Sequence, residues 1–320
     1  MPKKFIILIL PAFGYLLLFP QTALLWARDG LLLWYRQVLP VIFPFMFLST
    51  LAVRTVKISD LPAILTRPLM KIFHCSAYGA FVILSGFLCG FPIGAFLTAD
   101  LYRTGKISRR EARLLLGFAN NLSPGFILSY LSAQQMQLPQ EGGWFLFQIL
   151  GAALLKGWID ARKINHPTIK AADMDAKNGI SAAPSNLFAL IDSCIYDAMS
   201  NVLRLGAYIM LFSILTGAVQ KAVLLSNPVI RLLTSGIEVT TGIHMIAESG
   251  LSATAKYISV SALGAFGGLS ALAQSAGIAG MDRNTFLYYI KSRVKITLLA
   301  IGLSCAVLWA RSWIFFPMSQ

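Results

Sequence analysis

The amino-acid sequence predicts an all-α, polytopic membrane protein with two inverted repeats, each containing a re-entrant helical hairpin and a broken transmembrane helix. Three observations carry that expectation. The first is composition. Of 320 residues, 57% are hydrophobic and only 12% charged, with a mean hydropathy of +0.69. Soluble domains carry about a quarter charged residues. So apolar a chain has more greasy surface than a soluble fold can bury, and its length suits roughly eight to ten spans of about 20 residues. The second observation is that several apolar runs are interrupted near their middle by glycine, proline and polar residues. The third is that these interruptions recur in the same order in the two halves.

The elements follow in order along the chain. Lys3 and Lys4 precede an apolar run from Phe5 to Phe19. No small-x-small cleavage site follows, so the run reads as a first spanning helix or signal anchor ending near Pro20. Leu31 to Val53 contains Pro40 and Pro44 and is expected to kink. Arg54 to Ser76 is mixed and basic, an interfacial stretch. Ala77 to Leu101 is apolar but broken by Gly90-Phe91-Pro92-Ile93-Gly94. Tyr102 to Arg113 holds five Lys or Arg, and Ser108 with Glu111 makes a capping box. The helix it starts enters Leu114 to Leu131, which is broken by Asn120-Asn121-Leu122-Ser123-Pro124. A polar turn without Lys or Arg, Ser132 to Gly143, leads to the apolar stretch Trp144 to Trp158.

Residues 159–185 are the most hydrophilic part of the chain, lack a regular apolar period, and are expected as a loop between halves. The second half opens with an amphipathic stretch from Leu187 and a span over Leu203 to Val219. Leu225 to Ile246 is broken between Gly236 and Gly242. Tyr257 to Gly280 is broken by Gly264, Gly267 and Gly268. Asp282 is placed to cap a last helix with a span over Ile296 to Phe316. The expected organisation is an N-terminal membrane helix (1–28), a first repeat (29–158), a hydrophilic cytoplasmic linker (159–185), and a second repeat with a C-terminal membrane helix (186–320).

The net charge of +14 fits the excess of Lys and Arg that membrane proteins keep in cytoplasmic loops. With the N-terminus inside and the broken segments near residues 90 and 240 re-entrant, 21 of the 27 Lys and Arg fall on the inside. That asymmetry favours this topology over its mirror image. No segment offers the basic, soluble, aromatic-bearing face that nucleic acid would need. The four cysteines form no CxxC pair, and His74, His166 and His244 are too scattered for a metal site. Neither a metal nor a cofactor is expected.

A shift of 147 residues lays Gly117 on Gly264, Leu122 on Leu269 and Ser123 on Ser270, and places Gly90–Ala95 over Ile237–Gly242. The first hairpin opens from inside and the second from outside, so the repeats would be inverted. The 13 residues from Ala77 to Cys89 span about 20 Å as helix, at ~1.5 Å per residue. That is short of the ~30 Å hydrocarbon core, so such an arm must dip in and return. Its tip must then face protein or a water-filled cavity. Paired interrupted segments in corresponding halves point to a transporter's binding site.

The polar residues inside these segments form the candidate site. Asn120, Asn121 and Ser123 come from the first half, and Glu238, Thr240, Thr241, Ser270 and Gln274 from the second. An ionised acid such as Glu238 in an apolar segment costs roughly 2.5–3.5 kcal/mol or more unless partnered. Free helix N-termini at the breaks would favour an anion. Gly90, Pro92, Gly94, Pro124, Gly236, Gly242, Gly264, Gly267 and Gly268 are the candidate hairpin and gating positions. Each residue type also has a plainer role: glycines allow close helix packing, asparagines tie helices together, and Glu238 could sit solvated at the interface.

Leu-Cys-Gly-Phe-Pro-Ile-Gly-Ala (88–95), Leu-Thr-Ala-Asp-Leu (97–101) and Gly-Phe-Ala-Asn-Asn-Leu-Ser-Pro (117–124) resemble the YlbJ-type sporulation integral membrane proteins. So does Leu-Trp-Tyr-Arg-Gln-Val-Leu-Pro (33–40) with Phe-Pro-Phe (43–45). The likeness covers roughly residues 22–305. These proteins are grouped with the "nucleoside recognition" or Gate domains, also found in FeoB ferrous-iron transporters. Gly-Phe-Ala-Asn (117–120) is similar to a broken-helix motif of concentrative nucleoside transporters. The resemblance implies an inverted-repeat domain that moves a small solute in the cell membrane. In a spore former it implies passage of dipicolinate, a small aromatic dianion, across the outer forespore membrane. The first tip has no acidic residue where nucleoside carriers have one, which counts against nucleosides. No GxxxxGK[ST] motif is present, so a FeoB GTPase domain is absent.

The leading expectation is therefore a permease for a small organic solute, with an anion such as dipicolinate as the candidate, and not an enzyme. Its partners would be the lipid bilayer, the solute, a coupling proton or sodium ion, and further copies of the chain. The alternatives are a non-transporting scaffold needed for sporulation and a nucleoside-type permease. A lipid-modifying enzyme would need a catalytic pair or metal set such as HExxH, which the sequence lacks.

Overall fold

The computed structural model describes residues 10, 13–55, 62–163, 186–222 and 233–315. All regular structure among these is helical. The start of the first apolar run, most of the hydrophilic linker, and residues 223–232 of the interrupted segment lie outside the described residues.

The first apolar run does not stop at Pro20. Residues 13–18 are helical, and Ala23 N–H donates to the Phe19 carbonyl across the bend (3.0 Å). Pro20 sits at the first helical position, where its missing N–H costs nothing. Helix α1 (Pro20–Leu33) continues through a π-helical turn, Trp34–Val38, into α2 (Leu39–Thr55), which carries Pro44 inside it. The expected boundary between the N-terminal helix (1–28) and the first repeat (29–158) therefore falls inside a helix. The second half begins with an equally long helix, α8 (Leu187–Ala222), which joins the amphipathic stretch expected from Leu187 and the span expected over Leu203 to Val219 into one element. The two long elements pack antiparallel. Gly30 sits against Ser213, Gly206 against Trp34, and Trp34 Nε1 donates to the Val202 carbonyl (3.1 Å). At one end Arg54 pairs with Asp197 and donates to Ser193 (2.5 Å).

Between these long elements lie short helices whose ends are set by local chemistry. Amphipathic α3 (Ala63–Phe73) turns by 102° into α4 (Ala77–Cys89). Ser76 caps α4, accepting from Gly79 N–H (3.1 Å). After Gly90 the chain returns as α5 (Ile93–Arg103), following a cis Phe91–Pro92 bond. Ser108 caps α6 (Arg109–Leu116), but Glu111 does not complete the expected box. Its carboxylate accepts from the backbone N–H and hydroxyl of Ser76 (both 2.7 Å) and so fixes the start of α4. Residues 117–123 run without helix. A ten-residue π-helical stretch follows, Phe126–Gln135, and then α7 (Gly142–Ala161).

In the second half α9 (Val239–Ala247) follows the break at 236–238. Helix α10 (Ala253–Phe266) is separated from α11 (Gly268–Ala279) at Gly267 alone. Gly264 lies inside α10 and is no break; it packs against Ile149 and Leu122. The last helix, α12, runs Arg283–Phe315, so the helix expected after Asp282 and the span expected from Ile296 are one continuous element. Asp282 caps it as expected, accepting from Thr285 N–H (3.1 Å).

Among the described residues, four stretches are long and apolar enough to cross a membrane: Pro139–Ala161, Leu187–Val219, Ala253–Ala279 and Arg283–Arg311. The bent pair α3–α4 makes a fifth if counted as one span. Large side chains such as Leu203, Leu211 and Leu215 on α8, and Leu298 and Trp309 on α12, face outward. Lipid explains that exposure; water would not tolerate so broad an apolar surface.

Candidate functional site

The breaks in both halves converge. Gly90 adopts φ +79°, and a Cβ there would lie 2.6 Å from Ser123 N. In the second half, Leu269 and Ser270 N–H groups donate to the Gly236 and Ile237 carbonyls (both 3.0 Å). Gly268, at φ +78°, holds the Val239 backbone so close that a Cβ would sit 2.8 Å from its nitrogen. Gly86 and Gly94 both give way to the Ala119 carbonyl, and Gly242 to the Ser235 carbonyl. Gly236 and Gly267 terminate the neighbouring turns, and Pro124 begins the helical turn that leads into the π-helical stretch.

Where these breaks meet there is a cavity of about 40 Å³. Its polar lining is Ser123, Glu238, Thr240, Ser270 and Gln274, five of the eight side chains expected to bind solute. Cys89, Phe91, Leu122, Phe126, Val239 and Ala271 complete the tips, and Val38, Ile42, Leu205 and Ile209 of the long helices close the sides. A water needs roughly 10–15 Å³ measured this way, so the space suits about three or four waters and no organic solute.

Glu238 is buried and caps α9. Its carboxylate accepts from the Thr241 N–H (2.7 Å) and hydroxyl (2.8 Å), with Thr240 contributing as well. The N-terminus of α9 is therefore not free, and the expectation of an unoccupied anion seat there is corrected: an acid of the chain already fills it. Thr241 serves this cap and does not line the cavity. The Thr240 carbonyl accepts from Tyr130 OH (2.8 Å). Ser123 Oγ accepts from Phe126 N–H (3.2 Å). Gln274 differs from all of these. It is 0% exposed, and neither its carbonyl oxygen nor its amide nitrogen has a partner. A buried amide left this way costs free energy that a ligand would return.

Asn120 and Asn121 lie apart from the cavity lining, and their hydrogen bonds go to other protein groups. Asn120 Nδ2 donates to Ser275 Oγ (2.9 Å) and Tyr289 OH (2.8 Å), while its Oδ1 accepts from Ala95 N–H (3.3 Å). Asn121 Nδ2 donates to the Phe118 carbonyl (2.7 Å). They tie helices together, the plainer of the two roles.

Two cations missed in the sequence hold the broken backbone. Arg293 is 1% exposed. It donates to the Phe266 carbonyl (3.2 Å), the Asn120 carbonyl (2.8 Å), Asn121 Oδ1 (2.9 Å) and the Ala265 carbonyl. Its guanidinium also lies 5.2 Å from the centre of the Phe91 ring. Lys156, equally buried, donates to the Gly117 carbonyl (2.9 Å) and Ser292 (3.1 Å) and pairs with Asp160 (2.9 Å). Both were among the 21 Lys and Arg counted on the inside. The signal was available for Lys156, a lone cation inside an apolar run. It was hidden for Arg293, because the last span had been started three residues too late to contain it.

No family profile matches the chain, and no solved structure matches it. Among curated proteins it is 28% identical over 290 residues to the sporulation integral membrane protein YlbJ of Bacillus subtilis (strain 168). The match covers 81% of this chain and 71% of that protein. That similarity bears out the YlbJ-type resemblance carried by the broken-helix motifs: the chain is an all-helical, multi-pass membrane protein similar to YlbJ.

Proposed function

We propose that the chain is a membrane permease for a small organic solute, built from two inverted repeats whose broken elements meet at the solute site. One observation carries the reading: Gln274, buried and without a partner at either polar atom, faces a closed cavity with Ser123, Glu238, Thr240 and Ser270. Evolved interiors satisfy buried amides, and broken membrane helices are where transporters put their sites. The repeat reading draws support from the contacts. The shift of 147 residues that maps Gly90 onto Ile237 maps Ser123 onto Ser270; Gly90 packs against Ser123 in the first half and Ile237 bonds Ser270 in the second.

The similarity to a sporulation protein makes dipicolinate the first solute to test and spore formation the setting. Glu238 adds a condition. A dianion brought beside an ionised carboxylate in a dry site is repelled, so a proton must accompany it. The permease reading therefore includes proton coupling through Glu238.

The test is uptake of labelled dipicolinate into proteoliposomes under an imposed proton gradient. Wild type should accumulate it, and Gln274→Leu should lose at least tenfold in rate while remaining as stable as wild type. A well-folded wild type that takes up nothing, or a Gln274→Leu variant transporting normally, refutes this site.

A further inference from the structure

A second, larger cavity lies at the opposite ends of α5 and α11. These helices run side by side in the same direction: Phe91 and Ser270 mark the inner cavity, Thr98 and Ala279 the outer one. The outer cavity measures about 330 Å³, within the ~300–1,000 Å³ typical of small-molecule sites.

Its walls are strongly basic. Arg103, Arg109 and Arg113 line it. Arg109 and Arg113 are one helical turn apart on α6 and so share a face. Arg113 stacks 4.4 Å from the centre of the Tyr288 ring, which also lines the cavity. Arg103 spends one N–H on the Ala279 carbonyl (3.0 Å). The one carboxylate among the lining residues, Asp282, already accepts from Thr285 N–H. Among the described residues none of the three arginines has a carboxylate within ion-pair distance. Asp282 feels the charge of Arg109, but three arginines against one carboxylate leave the concavity net positive, which concentrates anions. Guanidinium forks fit carboxylates two bonds at a time, and the Tyr288 face offers a stacking surface for a ring.

We propose that this cavity is a vestibule that captures a small organic anion bearing carboxylates, through Arg109 and Arg113. Only the onward step, along α5 and α11 past Asn120, Ser275 and Tyr289 to the inner cavity, rests on the permease reading. Capture itself does not.

The experiment is equilibrium binding of labelled dipicolinate to the full chain in neutral detergent. It is repeated with inorganic phosphate as competitor and in nanodiscs of phosphatidylcholine with or without phosphatidylglycerol. The expected result is saturable binding that weakens at least tenfold in Arg109→Gln/Arg113→Gln and holds in Arg110→Gln, whose side chain lies outside the cavity. Binding unchanged in the double variant overturns the proposal, as does its absence from well-folded wild type. So does an outcome in which the double variant loses only a preference for phosphatidylglycerol, since the anion is then a lipid headgroup. In proteoliposomes, vestibule variants should raise KM and spare the maximal rate. Uptake with an unchanged KM sinks the vestibule and leaves the permease standing; binding without uptake does the reverse.

Discussion

Replacing Arg293 with methionine should destabilise the fold more than any other single change to the cations described above. The side chain holds four acceptors on two separate segments: the end of α10 through Ala265 and Phe266, and the broken stretch of the first half through the Asn120 carbonyl and Asn121 Oδ1. Methionine fills a similar volume and removes the buried charge, but three of the acceptors are main chain and stay behind. Each buried acceptor left without a donor costs about 1–3 kcal/mol. The lower figure for all four gives about 4 kcal/mol, within the ~3–5 kcal/mol seen when one partner of a buried charged network is deleted. That is roughly a thousandfold in the folding equilibrium. Lysine keeps the charge but donates from a single point and cannot reach all four acceptors, so Arg293→Lys should recover about half. Reversible unfolding in mixed micelles, titrated with SDS and followed by tryptophan fluorescence, measures both. An Arg293→Met protein within about 1 kcal/mol of wild type would refute the claim that this guanidinium pins the broken segments.

Three further outcomes follow from the same geometry. Glu238→Gln should abolish accumulation driven by a proton gradient while preserving solute exchange at equal pH; gradient-driven accumulation surviving intact removes Glu238 from the coupling. Gly90→Ala and Gly268→Ala each place a Cβ against main chain at positive φ, and each should cost about 1–3 kcal/mol in the same unfolding assay; stability equal to wild type would mean that the tips repack freely. Glu111 is buried, which pushes its carboxyl pKa up, partly offset by the two hydrogen bonds from Ser76. Its folded value lies above its unfolded one, so its stabilisation is present below the unfolded pKa and is lost as pH rises through the folded pKa. Glu111→Gln should flatten that fall, and a pH–stability profile of unchanged slope would exclude the assignment.

Much of this was legible in the sequence where the cause is local. Gly90, Gly267 and Gly268 break helices because those backbones need positive φ. Ser108 and Asp282 cap the helices that follow them because a cap reaches only three residues. The polar lining of the inner cavity was found because Ser123, Glu238, Thr240, Ser270 and Gln274 are anomalous in apolar runs. What failed was long-range. Glu111 serves Ser76, 35 residues away, in place of its own cap. Asn120 and Asn121 were recognised as polar and misassigned, because nothing nearby in sequence announces Ser275, Tyr289 or Arg293. Arg293 itself was counted as an inside charge because a cation at the edge of an apolar run looks interfacial, and only packing shows it turned inward.

Helix α11 has a consequence beyond its place in either cavity. It is a single twelve-residue rod, with Ser270 and Gln274 facing one compartment and Ala279 bordering the other. A rod cannot tilt at one end only. Whatever displaces Ala279 re-aims Gln274, and whatever grips Gln274 resets the mouth beside Ala279. Thermodynamic linkage then makes the influence mutual: an anion that binds the outer compartment more tightly in one tilt changes affinity at the inner one by the same factor that it experiences in return. A protein of this design would report the filling of one compartment to the other without any added messenger.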